Sequence, residues 1–330
     1  MRPSRSDFPG GRAIAARSIS LAWLLAAATL ATAPASAHPG IGIVRDPAGN
    51  IFYTDLEQVW KIAPDGTRTV AVPHVHTHEL FLDARGDLYG EHLWYEGDAT
   101  GKFGYRVWRL SASGKLEDVV PATQGIRTTY SFVRDGAGNM YSARPAHEPA
   151  PRVKGAPPPG PGENPRVILV RRAPDGTTTD IAGGGPTGRD GRGAAAGFTN
   201  LRWLAAAADG AVFAVDAGSV RRIAPDGTVT TLARDIGDTT FALSWTRPLH
   251  MLMGLAPAPD GGVYVANYGA RKLKKIAPDG KVSVVMTSPG LWSPTGLAVA
   301  PSGDLYVLEY TLTAARVRCV AKDGRVSRLP

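Results

Sequence analysis

The segment His-Val-His-Thr-His-Glu at residues 74–79 is the densest group of possible metal ligands in the sequence. Alternate side chains of an extended segment point the same way, so His74, His76 and His78 are predicted to line one side at intervals of about 7 Å. Imidazoles at this spacing can share a divalent zinc or copper ion. Histidines in an exposed loop are also often plain solvated polar residues, so both interpretations stay open.

A second group of soft ligands, His250, Met251 and Met253, lies in the segment 243–254. These residues are predicted either to bind a soft metal or to pack with Trp245 as a hydrophobic lid. The sequence contains no serine in a Gly-x-Ser-x-Gly context, no Cys–His nucleophile pair and no phosphate-binding glycine loop. Metal chemistry and polar ligand binding therefore remain as candidate functions.

These residues lie within a sequence that is repeated six times, most clearly at 254–285 and 296–329. One glycine of each copy closes a first turn: Gly49, Gly86, Gly138, Gly210, Gly261 and Gly303. Another glycine closes a later turn: Gly66, Gly114, Gly176, Gly227, Gly280 and Gly324. Short apolar runs and tight turns that repeat every 40–50 residues or so are typical of a propeller blade or of another stacked unit.

Each copy is predicted to form four strands, which in the fifth copy span 255–258, 263–266, 272–276 and 282–286. The sequence Pro-Asp-Gly recurs between the third and fourth strands, at 64–66, 174–176, 225–227 and 278–280. Proline fixes φ, aspartate bonds the local backbone and glycine accepts a positive φ, so this tripeptide predicts a hairpin.

An isolated four-stranded sheet would expose both faces to solvent. Six such sheets are therefore expected to pack around one axis, so that each buries a face of its neighbour. We predict an all-β fold over residues 38–330, a six-bladed β-propeller of four-stranded antiparallel blades. The predicted blades span residues 41–72, 79–120, 131–182, 203–233, 254–286 and 296–329. The first and last copies each hold four strands, which favours closure by contact between whole blades over a strand shared across the termini.

Two positions of each copy are predicted to surround the mouth of the central channel. The first rim position, directly before the first strand, holds Ile41, His78, Tyr130, Arg202, Met253 and Thr295. The second rim position, six residues after the first-turn glycine, holds Asp55, His92, Arg144, Asp216, Asn267 and Glu309. Arginine forks bind anions and aromatic faces stack on rings, which makes this rim a candidate ligand site. The predicted ligand-binding residues are His78, His92, Tyr130, Arg144, Arg202, Met253, Asn267 and Glu309.

His78 and His92 occupy both rim positions of the second copy, and His76 lies two residues before the first of them. These three histidines are the predicted metal ligands, and Ca²⁺ or Zn²⁺ is the cofactor considered. Asp216, Asn267 and Glu309 also have a plainer interpretation as residues that shape a turn.

The first 37 residues are predicted to be a secretory signal peptide, with scattered arginines, the apolar run 18–33 and an Ala-x-Ala site at 35–37. We therefore expect a secreted or periplasmic protein whose mature chain begins at His38, without a transmembrane span. Loss of this segment removes four arginines and one aspartate and lowers the formal charge from +8 to +5.

The basic residues are spread over all copies, which together with export argues against a nucleic-acid partner. Cys319 is the only cysteine, so no intramolecular disulfide is expected, and a monomer is predicted. The proline-rich stretch 144–166 is predicted to be a loop. A pure interaction scaffold, in which this loop contacts another protein, is one possible function.

The segments Pro-Thr-Gly-Leu-Ala-Val-Ala-Pro-Ser-Gly-Asp-Leu-Tyr-Val at 294–307 and Asp-Gly-Ala-Val-Phe-Ala-Val-Asp at 209–216 resemble the NHL-repeat and gluconolactonase-like propellers, the senescence marker protein type. The glycine-rich segment 183–205 is similar to the inter-blade segment of bacterial NHL proteins. The resemblance implies a six-bladed fold. It implies no single activity, because lactonases, amidating lyases, receptor ectodomains and scaffolds share this architecture.

The same resemblance implies two kinds of metal site at the first rim positions. The gluconolactonase type would place Glu, Asn and Asp ligands there, and the amidating lyases would place three histidines. In this sequence only His78 fits the histidine pattern of the amidating lyases. Glu79, a ligand type of the gluconolactonases, lies one residue after the first rim position.

Two functions from different classes follow. The first is a propeller that binds a small polar or anionic ligand, or a partner segment, at the channel mouth. The alternative is a metal-dependent hydrolase or lyase of the gluconolactonase or peptidyl-hydroxyglycine amidating-lyase kind, which acts through a metal-bound water.

Overall fold

The computed structural model describes residues 39–96, 102–125, 130–146, 166–237 and 252–330, which belong to the compact unit His38–Pro330. The predicted signal peptide, most of the proline-rich loop, and Trp245, His250 and Met251 of the predicted lid lie outside the described residues. No helix in the described ranges has the length and apolar character needed to cross a membrane.

The described chain forms 24 strands and one short 3₁₀ turn (Gly193–Ala195), with no α-helix in this part of the sequence. The first sheet contains β1 (Ile43–Arg45), β2 (Ile51–Thr54), β3 (Val59–Ile62) and β4 (Arg68–Val72). The second contains β5 (Leu80–Leu82), β6 (Leu88–Tyr95), β7 (Phe103–Leu110) and β8 (Leu116–Gln124). The third contains β9 (Met140–Pro145), β10 (Val167–Arg172) and β11 (Thr178–Gly183).

The fourth sheet contains β12 (Gly191–Arg192), β13 (Leu201–Ala206), β14 (Val212–Asp216), β15 (Ser219–Ile223) and β16 (Thr228–Ala233). The fifth contains β17 (Leu252–Pro257), β18 (Val263–Asn267), β19 (Lys272–Ile276) and β20 (Val282–Thr287). The sixth contains β21 (Ser293–Val299), β22 (Leu305–Tyr310), β23 (Ala315–Val320) and β24 (Val326–Arg328).

The predicted all-β, six-bladed propeller is confirmed, and neighbouring strands within each sheet are antiparallel. Two blades depart from the plain four-strand plan. In the third, a single bridge between Arg134 and Met140 takes the place of the innermost strand. In the fourth, the glycine-rich segment adds the two-residue strand β12 at the outer edge.

The Pro-Asp-Gly turns have the predicted chemistry. In the first blade the amide of Gly66 donates to the carbonyl of Ala63 at 2.9 Å, and Gly66 adopts φ 87°. Asp65 accepts the amide of Thr67 at 2.8 Å, which ties the turn to the start of β4. The third and fourth strands of this blade are therefore paired as a hairpin.

The hydrophobic core lies between blades, with one cluster at each of the six junctions formed by the described residues. The cluster between the first and last blades includes Ile43 and Tyr53 from one and Leu308 and Tyr310 from the other. The hydroxyl of Tyr310 donates to the carbonyl of Thr54 at 2.6 Å. The ring thus closes by contact between two blades that each have their own four strands.

Candidate functional site

The residues at the first rim position of the fifth, sixth, first and second blades lie next to one another around the ring. A Cβ atom on Gly254 would lie 2.5 Å from the carbonyl oxygen of Thr295, and one on Gly296 would lie 2.2 Å from that of Ile41. The amide of Ile41 donates to the carbonyl of His78 at 2.8 Å. Glycine is required at 254 and 296 because the neighbouring backbone approaches so closely.

His78 is held by Glu91, a residue of β6 that the rim positions do not include. Glu91 Oε1 accepts the amide of His78 at 2.6 Å and lies 3.5 Å from His78 Nδ1. β5 begins only at Leu80, which pairs with Gly90, so His78 precedes the β5–β6 ladder. Its amide donates to the carboxylate of Glu91 instead of to a backbone carbonyl of that ladder. The side chain of His78 keeps 11 % of its surface exposed, whereas that of Glu91 keeps 1 %.

The second carboxylate oxygen of Glu91 is buried and accepts no hydrogen bond from the described residues. The backbone carbonyl of the same residue accepts the indole N–H of Trp108 at 2.9 Å and the hydroxyl of Thr77, so its position is fixed. Burial of a carboxylate without full compensation is costly, and proteins concentrate such groups at functional sites. Glu91 is therefore the strongest single candidate for function in the described chain.

His92 follows Glu91 on β6, so its side chain lies on the opposite face of the strand, where it contacts the backbone of His76. The amide of His76 donates to Nδ1 of His92 at 2.9 Å, and Nδ1 of His76 lies 2.9 Å from the carbonyl of Leu56. The rings of His76 and His78 meet edge to face with centroids 4.7 Å apart. His74 lies outside this group, because it is exposed and adopts φ 55°, which breaks the alternation of the segment.

Burial, aided by the charges of Arg106 and His76, lowers the pKa of His92 below its usual value. The hydrogen bond agrees with this direction, because a backbone N–H can donate to Nδ1 only when that nitrogen carries no proton. His92 is therefore neutral at pH 7 and uses Nδ1 to hold the linker that carries His76.

The other predicted rim residues have varied surroundings. Tyr130 packs on Phe132, with ring centroids 5.1 Å apart, and lies under the guanidinium of Arg134. Arg144 is exposed and pairs with Asp180 at 2.6 Å. Arg202 is exposed and donates to the side chain of Asn200 at 3.2 Å. Both predicted anion-binding guanidinium groups thus have acceptors within their own parts of the chain.

Met253, Asn267 and Glu309 are fully buried. Asn267 donates to the carbonyl of Ile236 at 3.0 Å and accepts the amide of Ala270 at 3.1 Å. Glu309 accepts Arg316 Nε at 2.6 Å and the hydroxyl of Ser288. Asn267 thus bonds the turn that follows it, whereas the partners of Glu309 lie on the neighbouring strand and in the segment before the last blade.

Within the described ranges, no three His, Cys, Asp or Glu side chains converge to form a site for a divalent metal ion. Nδ1 of His92 is taken by the amide of His76, and Glu91 points to the other face of β6. The residues present at the rim thus do not fit the ligand sets that the resemblance implies.

A cavity of about 210 Å³ opens on the fourth blade beside Thr199, Asp216, Arg221 and Arg234. The guanidinium of Arg221 is buried there and bonds Asp216 at 2.6 Å and Asp190 at 2.8 Å. Its charge is compensated within the protein, so this ion pair ties the glycine-rich segment to the blade.

No family model matches the sequence. The chain is 27 % identical over 268 residues to the virginiamycin B lyase of Nocardia farcinica, which covers 80 % of this chain and 75 % of that enzyme. A putative gluconolactonase superposes with a TM-score of 0.50 at 16 % identity, over 88 % of this chain and 89 % of that one. The virginiamycin B lyase of Staphylococcus aureus superposes with a TM-score of 0.43 at 13 % identity, over 88 % and 84 %.

The structural neighbours are thus gluconolactonase-like and virginiamycin B lyase propellers, as the sequence resemblance to gluconolactonase-like propellers anticipated. At these identities the likeness of the structures establishes the fold and leaves the activity to the residues of the site.

Proposed function

We propose that this protein is an exported propeller that binds a small polar ligand at the rim of its second blade, against His78 and Glu91. The observation that carries the proposal is the buried Oε2 atom of Glu91, for which the described part of the chain supplies no hydrogen-bond donor. A ligand that donates a hydrogen bond to Glu91 Oε2 would satisfy the buried carboxylate. Binding would then recover part of the free energy that burial of this carboxylate costs.

The expected ligand carries hydroxyl or amine donors. Glu91 supplies an acceptor, and His78 supplies an imidazole that is partly exposed at the rim. An anionic ligand has weaker support, because Arg144 is paired with Asp180 and Arg202 with Asn200. The positive groups that would attract an anion thus already have acceptors.

Export follows from the predicted signal peptide, and cleavage after Ala37 would leave a mature chain that acts as a monomer outside the cytoplasm. Amino-terminal sequencing of the chain recovered from the extracytoplasmic fraction tests this part. His38 as the first residue supports it, and an intact chain retained in the cytoplasm contradicts it.

Calorimetric titration tests the binding proposal, with short alkylamines, polyols and acetate as probes. We expect an amine or a polyol to bind and Glu91→Gln to weaken that binding at least tenfold, about 1.4 kcal/mol. His74→Asn is the matched control, because His74 is exposed and outside the group. Equal affinities for wild type and Glu91→Gln would contradict the proposal.

A second candidate is a lyase or hydrolase at the same pair, favoured by the 27 % identity to a virginiamycin B lyase. A carboxylate that orients an imidazole is the arrangement used for proton transfer in acid–base catalysis. Here Glu91 would hold the ring of His78, and His78 would exchange the proton with the substrate.

Turnover assays with virginiamycin B and with gluconolactone, each with and without a chelator, test this second candidate. Activity that is lost in Glu91→Gln and kept in the chelator supports acid–base chemistry at the pair. Activity that is lost in the chelator supports the metal-dependent alternative, and absence of turnover with both substrates counts against the enzyme.

A further inference from the structure

Three hydrogen bonds in series join the ring closure to the candidate site. The hydroxyl of Tyr310 on β22 donates to the carbonyl of Thr54 on β2 at 2.6 Å. The hydroxyl of Thr54 donates to the carbonyl of Thr77 at 2.7 Å, and the hydroxyl of Thr77 donates to the carbonyl of Glu91. This hydroxyl series therefore runs from the last blade, through the first, to the second.

The three donors of the hydroxyl series are buried. Thr54 and Thr77 have no exposed surface, and Tyr310 keeps 5 % of its surface exposed. The hydroxyl of Thr54 also accepts the amide of Leu56 at 2.9 Å, so its orientation is fixed. Hydrogen bonds away from water are stronger, and loss of one partner there leaves the other unsatisfied. The series thus holds the backbones of three blades in a defined arrangement.

The series meets the candidate site at the peptide bond between Thr77 and His78. The carbonyl of this peptide accepts the hydroxyl of Thr54, and its N–H donates to Glu91 Oε1 at 2.6 Å. A peptide unit is planar, so a rotation at one end of it also turns the other end. Loss of the Thr54 hydroxyl would therefore loosen the hydrogen bond between the amide of His78 and Glu91.

The turn of the first blade at residues 54–57 holds the same segment at two further points. Leu56 adopts φ 77°, a strained conformation for a large side chain, and its carbonyl lies 2.9 Å from Nδ1 of His76. The carbonyl of Glu57 accepts the amide of Val75 at 3.0 Å. Strained backbone of this kind is concentrated where geometry serves a function. The turn therefore supports the segment that carries His76 and His78.

The position of this turn depends in turn on how the ring is closed. Tyr310 of the last blade holds the carbonyl of Thr54. Gly40, before the first strand, packs on the other side. A Cβ atom there would lie 2.8 Å from Cγ2 of Thr54 and 3.1 Å from Cδ2 of Leu56. The turn is thus clamped between the last blade and the segment that leads into β1.

We propose that Tyr310, Thr54 and Thr77 are positioning residues for the Glu91–His78 pair, so that closure of the ring sets the affinity of the candidate site. The proposal rests on the proposed function and assigns part of its affinity to residues outside the site. Each of the three acts through a backbone carbonyl, and the last two bonds end at the peptides of His78 and Glu91.

Calorimetric titration of the full chain with butylamine and with glycerol tests the proposal. We expect Thr54→Val and Thr77→Val, which keep the shape and lose the hydroxyl, to weaken binding about fivefold, about 1 kcal/mol. Tyr310→Phe, the most remote change, should weaken binding about threefold. Thr54→Ser and Thr77→Ser keep the hydroxyl and should bind within about twofold of wild type. Serine variants that bind as weakly as the valine variants would overturn the proposal.

Tyr141→Phe is the matched control for Tyr310→Phe. Tyr141 is also 5 % exposed, and its hydroxyl donates to Asp135 Oδ2 at 2.9 Å within the third blade. This variant loses a buried hydroxyl bond outside the hydroxyl series and should bind both probes as wild type does. Equal affinities for Tyr310→Phe and Tyr141→Phe would show that the bond across the ring closure has no effect on the site.

A double-mutant cycle with Glu91→Gln separates positioning from general loosening of the fold. Two changes that act through the same group are not additive. The threefold effect of Tyr310→Phe should therefore fall below about twofold in the Glu91→Gln background. The same threefold loss in both backgrounds would mean that Tyr310 acts on something other than Glu91, and the proposal would be wrong.

The amide NMR signal of His78 gives a readout that needs no probe, because this amide donates to Glu91 Oε1. We expect it to shift in Tyr310→Phe and to stay in place in Tyr141→Phe. If neither probe binds wild type and the signal shifts, the proposed function fails and the positioning of the pair by ring closure stands. If the probes bind and the signal stays in place in Tyr310→Phe, the positioning role is wrong and the polar site stands.

Discussion

Glu91 in the second blade and Glu309 in the last are both fully buried, but their surroundings differ. Glu309 accepts Arg316 Nε at 2.6 Å and the hydroxyl of Ser288, and Arg318 lies 3.7 Å away. Glu91 Oε1 accepts the amide of His78 at 2.6 Å and lies 3.5 Å from Nδ1 of His78, and its second oxygen accepts no hydrogen bond within the described ranges. Glu309 is thus paired with arginine side chains, whereas the described residues give Glu91 only the amide and the imidazole of His78.

The cause lies in the residue across the ladder. Arg316 is the cross-strand partner of Glu309, whereas Val107 is the partner of Glu91. A cation opposite the carboxylate makes a structural ion pair, and a valine there leaves the charge for another group to satisfy. The comparison separates a glutamate that stabilises the fold from one that the proposed ligand would satisfy.

The largest effect is expected for Glu309→Gln. This change leaves Arg316 and Arg318 without a counter-ion while their side chains are only 12 % and 16 % exposed. Loss of one partner of such a group costs about 3 kcal/mol of unfolding free energy, measured by urea denaturation. Glu57→Gln, at an exposed position, is the control. A variant as stable as wild type would show that the Glu309 ion pair contributes nothing.

Asp216→Asn should cause the next largest loss of unfolding free energy. It extends the comparison to a third buried carboxylate. Asp216 accepts the amides of Thr199 and Asn200 at 2.7 Å each and Arg221 at 2.6 Å. An asparagine keeps the amide bonds and loses the ion pair, so we expect a loss of about 2 kcal/mol. Thermal unfolding measures this loss. An unchanged melting temperature would show that Asp216, like Glu91 and unlike Glu309, contributes little to the stability of the fold.

The smallest effect concerns pH. The pKa of His92 is lowered in the folded state, so below about pH 6.5 the unfolded chain takes up a proton that the folded chain resists. The contribution of this residue to stability therefore falls as the pH falls. His92→Asn keeps an acceptor for the amide of His76 and removes the titration, so its stability should depend less on pH between about pH 7 and pH 5.5. The same dependence in both proteins would contradict this.

Much of the fold could be predicted because its signals repeat. Gly66 has the positive φ that the Pro-Asp-Gly turn demands, and each repeated glycine pair marks the same two turns in a blade. The rim positions follow from the same count of residues. Ile41 and His78 meet because each lies two residues before the first strand of its blade.

Glu91 escaped prediction because it lies one residue before a rim position. The equivalent residues of the other copies are Thr54, Ala143, Val215, Ala266 and Leu308, and all but Ala143 are buried. A charged residue at a position that is uncharged in the other copies was the available signal. The long second blade had its own signal, since apolar and aromatic residues continue through Leu93, Trp94 and Tyr95 beyond the expected turn.

The central claim is that Glu91 does not hold the fold together and is retained for a ligand. The unfolding free energy of Glu91→Gln tests it most directly. Glutamine keeps an acceptor for the amide of His78 and removes an uncompensated charge, so the variant should unfold within about 1 kcal/mol of wild type or be more stable. A loss of about 2 kcal/mol or more would make Glu91 a structural residue like Glu309 and contradict the claim.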